Sequence, residues 1–141
     1  MDESYRIEAV DDPEKSVWGV IGHSLQAFNV AKVGDSAFAR VCYALKAPDE
    51  SIVGGVLGEV YWGWLFVDLL SVREDLRGQG YGHRLLNLVE EAGRQRGAKH
   101  AYLDTFSFQA PEFYRKHGYA VFGTLEDFPP GHRRFFLKKQ L

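Results

Sequence analysis

Apolar positions recur along this chain with two periods, and each change of period marks an element. Over residues 14–30, Val17, Val20, Ile21, Leu25 and Phe28 return at steps of three and four, which predicts a helix with one buried face. Asp12 as cap and Pro13 in the first turn start it, Gly34 and Asp35 end it, and Gly19 with Gly22 weakens it. Residues 5–10 read as a short first strand. Residues 37–47 and 52–62 read as two strands joined by a PDES turn, hence a hairpin. Residues 64–72, WLFVDLLSV, are apolar on both faces apart from Asp68 and Ser71, so this strand belongs in the middle of a sheet.

Beyond that strand come REDL, then RGQGYG, then an amphipathic stretch in which Leu85, Leu86, Val89 and Ala92 share one face. Arg94 and Arg96 in its last turn and Gly97 at its end have the polarity of a helix C-terminus. Residues 99–106 form the next strand, so 64–106 is a strand, helix, strand unit whose two strands should be parallel. A short helix over 110–117 follows, with Pro111 at its first position and Gly118 at its stop. Residues 119–125 and 133–139 close the chain as an antiparallel pair joined by EDFPPGH. The prediction is a single α/β domain over residues 1–141, with parallel pairing around the central unit.

Composition narrows the class. A chain of 141 residues, 45% hydrophobic and 26% charged, buries an ordinary core without disulfides, and 14% aromatic leaves rings for a ligand cleft. A net charge of −2 gives no global attraction to nucleic acid or an anionic membrane. Cys42 is the only cysteine, the N-terminus lacks the order of a signal peptide, and Asp68 interrupts the longest apolar run. A cytoplasmic location is expected, with no membrane and no nucleic-acid partner.

The loop carries the candidate chemistry. Gly78, Gly80 and Gly82 expose main-chain amides between a buried strand and a helix N-terminus, an arrangement suited to an anion. Arg77 can add a charged hydrogen bond to the same oxygens. A tight turn into a helix is the plainer explanation of the glycines. A P-loop would need Lys and Ser or Thr where His83 and Arg84 stand. A dinucleotide loop would need GxGxxG directly after the strand, although Asp104 falls where a ribose-binding acid would sit.

Taken with AYLDTFSFQAPEFYRKHGY downstream, the order of LLSV, RGQGYG and helix resembles the GNAT superfamily of acyl-CoA-dependent N-acyltransferases. The chain looks like a small, single-domain member of bacterial type. Arg77, Gly80 and Gly82 match the family's loop pattern; Ala110, Phe113, Tyr114, Gly118 and Tyr119 match its second signature. The resemblance implies a mixed, mostly antiparallel sheet with a central, splayed parallel pair flanked by helices. It implies acetyl-CoA as cosubstrate, with its pyrophosphate on the amides of Arg77, Gly78, Gln79, Gly80, Tyr81 and Gly82. Pantetheine would pair with the backbone of Leu70 and Val72 as an added strand. Ser107 stands where the family often has Asn, and being shorter it would need a water to reach pantetheine.

By the same resemblance Tyr114 protonates the departing sulfur, although a tyrosine packed in the core is the ordinary alternative. The base is open: Asp68, whose carboxyl would be raised if buried, or Glu59 on the preceding strand, or a water chain. Asp68 could equally be a structural partner. The five histidines show no metal spacing and Cys42 stands alone, so no metal is expected. GxSxG is absent, and His117 reads as a surface residue in a last helical turn.

The acceptor, a small-molecule or protein amine, would meet Gln26, Phe28, Asn29, Trp62, Trp64 and the loop from Glu126 to His132, where Glu126 and Asp127 could take a cation; plain surface charge accounts for them equally well. The expected activity is acetyl transfer to a primary amine by direct attack. An acyl-CoA-binding or sensing module without catalysis is the alternative, a dinucleotide-binding enzyme a weaker one, and a homodimer is left open.

Overall fold

The structure is a computed structural model that describes residues 4–141. It divides into two compact units, Met1–Ser36 and Ala37–Leu141, each described by itself.

In the first unit, residues 5–10 form no strand. Helix α1 (Pro13–Ser16) has Pro13 at its start, and α2 (Trp18–Val33) follows after Val17 alone. The amide of Val17 bonds back to Pro13 at 3.0 Å and that of Ile21 to Val17 at 3.0 Å, so the helical turn carries nearly unbroken across the junction. Apolar side chains are distributed around α2, Val30 and Val33 lying off the stripe that the periodicity picks out.

The second unit is a six-stranded sheet in the order β1-β2-β3-β4-β6-β5. Its strands are β1 (Ala39–Lys46), β2 (Ile52–Tyr61), β3 (Trp64–Val72), β4 (His100–Phe106), β5 (Ala120–Glu126) and β6 (Arg133–Gln140). Every pairing is antiparallel except β3 with β4. The predicted hairpin, central strand and closing pair are all present, with β6 inserted between β4 and β5. Helix α3 (Tyr81–Gln95) connects β3 to β4, and α4 (Pro111–Lys116) connects β4 to β5.

The amphipathic pattern of α3 fixes how it packs. Leu85, Leu86, Val89 and Ala92 bury against Val56, Leu65, Val67 and Leu103, and Leu137 of β6 completes a core of nearly inaccessible side chains. Burying each such aliphatic side chain contributes about 1.5–3 kcal/mol, so α3 is held chiefly by this stripe. One charged group lies inside it. Glu90 is 2% exposed and accepts hydrogen bonds from Tyr119 Oη at 2.7 Å and from Lys139 Nζ at 2.9 and 3.1 Å. Its charge is thereby paired in place. No helix among the described residues is long and apolar enough to cross a membrane.

Candidate active site

The site begins where the parallel pair fails. β3 and β4 are in register only at Trp64 with His100, Leu65 with Ala101 and Phe66 with Tyr102. Beyond these, β3 continues beside β2 as far as Val72, while β4 continues beside β6 as far as Phe106. The two strands therefore part. The amide of Arg73 bonds to Val53 of β2 at 2.8 Å. Alternation along the strand then turns the backbone polar groups of Leu70 and Val72 away from β2, into the opening.

Two cavities occupy this opening. One, of about 420 Å³, lies between the end of β3, the glycine loop, the first turn of α3, and Phe113 of α4. The other, of about 460 Å³, is lined by Asp68, Asp104, Thr105, Phe108 and Gln109. Tyr114, Ala110, Arg77 and the strand from Leu70 to Val72 line both. Tyr114 thus stands at their common wall.

The glycine loop closes the first cavity. After a single 3-10 turn, Glu74–Leu76, the chain passes through Gly78 and Gly80 at φ of 78° and 89°. Gly80 is the N-cap of α3 in the left-handed conformation, and no side chain caps the helix. The first-turn amides, at Tyr81, Gly82 and His83, are left to the cavity these residues line. Gly82 lies close under α4: a Cβ there would stand 3.3 Å from the ring of Phe113, a tight contact that the ring would have to ease. Arg77 is tied down as well, its Nε donating to the carbonyl of Val72 at 2.9 Å.

Tyr114 is half-buried, its ring edge-on to Phe113 and Tyr119 at 5.1 and 6.0 Å. Among the described residues nothing hydrogen-bonds its hydroxyl. Burial first, then the negative charge of Asp104, holds its proton more tightly than in a free tyrosine. His83 and His117 also meet here, ring on ring at 4.6 Å, with His83 Nδ1 against His117 Nε2 and both packed on Phe113. Burial, then the neighbouring His83, lowers the pKa of His117. His117 is therefore no lone surface residue.

Other expected positions move. Asp68 is exposed, not buried. Leu69 pairs with Leu57 and Val67 with Gly58, so Asp68 is the extra residue of a β-bulge, which turns it out of the strand's alternation and onto the wall of the second cavity. Glu59 lies on β2 opposite Arg40 and Phe66, half-buried, and lines neither cavity. Ser107 is likewise outside both: its amide donates to the carbonyl of Arg133 at 2.8 Å and its hydroxyl accepts from the amide of Arg133 at 3.0 Å.

Trp64 begins β3, at the end opposite the opening, stacked on His100 at 4.6 Å beside a shallow cavity of about 370 Å³. It does not reach the cleft. Glu126 ends β5 opposite Arg133, exposed. Phe28 and Asn29 lie on α2 in the other unit.

Sequence reading passed over the role of Asp104 in this opening. Arg134 grips it, donating from Nε at 2.9 Å and Nη2 at 2.7 Å, both to Oδ1. A signal was present: on β4, buried Ala101, Leu103 and Thr105 alternate with half-buried His100, Tyr102, Asp104 and Phe106, which sets Asp104 on one face near the strand's open end. Its tie to Arg134, together with a sheet that has a single parallel pairing, argues against the dinucleotide reading.

Comparison with known proteins agrees with this geometry. Residues 7–119 match the model of the acetyltransferase (GNAT) family. An acetyltransferase of Agrobacterium fabrum is 36% identical over 116 residues, covering 82% of this chain and 85% of that protein. The blasticidin-S acetyltransferase of Streptomyces morookaense is 41% identical over 102 residues, covering 70% and 75% respectively. The crystal structure of an acetyltransferase from Bacillus cereus superposes with a TM-score of 0.88 at 35% identity, covering 98% of this chain and 99% of its own. With the splayed pair, the bare-amide loop and this kinship agreeing, the chain belongs to the GNAT family of acetyltransferases and is an N-acetyltransferase.

Proposed function

We propose that the protein transfers the acetyl group of acetyl-CoA to the primary amine of a small molecule by direct attack. The observation that carries this reading is the pair of cavities meeting at Tyr114, one walled by bare amides and the other by carboxylates. Acetyl-CoA supplies an activated thioester. The residues present suit it: the first-turn amides of α3 and the guanidinium of Arg77 take phosphate oxygens, and the outward backbone of Leu70 and Val72 takes an extended amide chain. Because Val72 already gives its carbonyl to Arg77, its amide is the group left to bind.

The second cavity receives the amine. Asp68, on its bulge, accepts through water the proton that the ammonium must lose before its nitrogen can attack. The new N–C bond forms as the C–S bond breaks; Tyr114 passes its hydroxyl proton to the leaving sulfur, and the second proton of the acylated nitrogen restores the phenol. Burial keeps that proton in place until the sulfur needs it. No side chain serves as a nucleophile.

A relative named for acetylating blasticidin-S supports a small molecule over a protein amine as acceptor, as does a cavity of about 460 Å³, a size that suits a small ligand. Calorimetric titration tests the first half of the reading: acetyl-CoA should give saturable heat and a nicotinamide dinucleotide none. Heat from the dinucleotide alone would reverse the conclusion.

A further inference from the structure

The second cavity holds a carboxylate with one oxygen committed and the other spare. Both bonds from Arg134 end on Oδ1 of Asp104, and Oδ2 has no partner among the described residues. Oδ2 is no buried orphan, since every buried side-chain polar atom of the described residues has a partner and the Asp104 side chain is 22% exposed. Asp104 lines the second cavity, and Oδ2 is the oxygen that Arg134 leaves to a ligand there. A carboxylate accepts about four hydrogen bonds, so two from Arg134 leave capacity for a ligand.

The pair is braced from behind. The guanidinium of Arg134 stands 5.4, 5.1 and 5.2 Å from the ring centres of Phe106, Phe128 and Phe136. Those ring faces share its positive charge, so the carboxylate is oriented by Arg134 and keeps a face for another cation. Phe108, stacked on Phe106 at 5.3 Å, supplies an apolar wall to the same cavity. The field of Asp104 reaches Tyr114, which places the carboxylate beside the acid of the proposed reaction.

The geometry points to Asp104 as the acceptor's anchor: its free Oδ2 holds the ammonium form of a small primary amine, with the substituent of that amine lying against Phe108. This rests on the acetyl-transfer reading above and deepens it, by making the substrate a cationic amine selected for its charge. Asp68 is then free to take up the departing proton, and the two carboxylates have separate tasks. Arg134 is a positioning residue that holds the anchor at one oxygen.

Steady-state kinetics with two probes tests the anchor. 2-Phenylethylamine is cationic at neutral pH and phenylhydrazine is neutral there. Asp104→Asn, which keeps an oxygen for Arg134, should raise KM for 2-phenylethylamine by about 10- to 100-fold, the range of a hydrogen bond between charged groups. It should not lower kcat, because the ammonium that Asp104 holds gives up its charge before its nitrogen attacks and the lost contact belongs to the ground state. KM for phenylhydrazine and the dissociation constant of acetyl-CoA should not change. Equal losses for both probes, or none for either, overturn the anchor.

A measurement on the unaltered protein covers the case in which the variant does not fold. N,N-Dimethyl-2-phenylethylamine, a cation at neutral pH that keeps one N–H and gives no stable amide, should compete with 2-phenylethylamine while 2-phenylethanol does not, and equal inhibition by the two overturns the anchor. If acetyl-CoA binds but neither probe is acetylated, the anchor falls and the cosubstrate assignment stands. If acetyl-CoA gives no heat, the acetyl-transfer reading falls first.

Discussion

Arg77 Nε donates to the main-chain carbonyl of Val72 across 2.9 Å, which fastens the basic residue of the glycine loop to the last residue of β3. The loop and the splayed strand are therefore tied together as one wall of the first cavity. Replacing Arg77 with Ala removes both the tie and the nearest cation. Acetyl-CoA affinity should fall about tenfold, or about 1.4 kcal/mol, while unfolding free energy changes by less than about 1 kcal/mol. Calorimetry and urea titration of the same sample check both numbers.

Tyr114→Phe keeps the ring contacts and removes the proton donor. The expected loss in kcat is about 10²- to 10⁴-fold, the usual range for a positioned acid, with acetyl-CoA binding unchanged. Burial and Asp104 raise the tyrosine's pKa, so the acid form persists beyond the ordinary value of about 10. The wild-type kcat profile should show no alkaline fall attributable to this group below about pH 10. A tyrosine-dependent limb near neutrality would assign the proton to another group.

Lys139→Met strands the carboxylate of Glu90 in the core with only Tyr119 as partner. Removing one member of a buried pair costs about 3–5 kcal/mol, whereas Tyr119→Phe, which removes one hydrogen bond to a charged group, costs about 1–3 kcal/mol. Denaturant unfolding should rank the two variants in that order.

His117 has a folded pKa below its unfolded value, so its neutral form is the one the fold favours. Its contribution is complete above about pH 6.5 and is lost as pH falls, because the unfolded chain then takes up the extra proton. The wild-type protein should lose more stability between neutral pH and pH 5.5 than His117→Gln does. Parallel melting curves across that range would show it.

The parts of this molecule legible in its sequence are those fixed by local pattern. A strand apolar on both faces had to be central, a stripe at helical spacing had to pack α3 on the sheet, and glycines between them had to leave bare amides. Asp68 was misplaced because a bulge reverses alternation: Leu65 and Val67 are buried on odd positions, yet Val72 is buried on an even one. The role of Asp104 depends on Arg134, 30 residues further on, which spacing along the chain does not encode. The same holds for His83 and His117, 34 residues apart. Trp64 illustrates the reverse error, since an aromatic on the right strand can sit at its wrong end.

The central claim is that the opening between β3 and β4 joins acetyl-CoA to an amine without an acetylated protein in between. Intact-mass measurement alongside a free-thiol assay examines it most directly. With acetyl-CoA alone the protein's mass should stay unchanged and no thiol should appear; adding an amine panel should release free CoA and yield one acetylated amine per thiol. A protein that gains an acetyl group in the absence of amine, and passes it on when amine is added, would contradict direct attack.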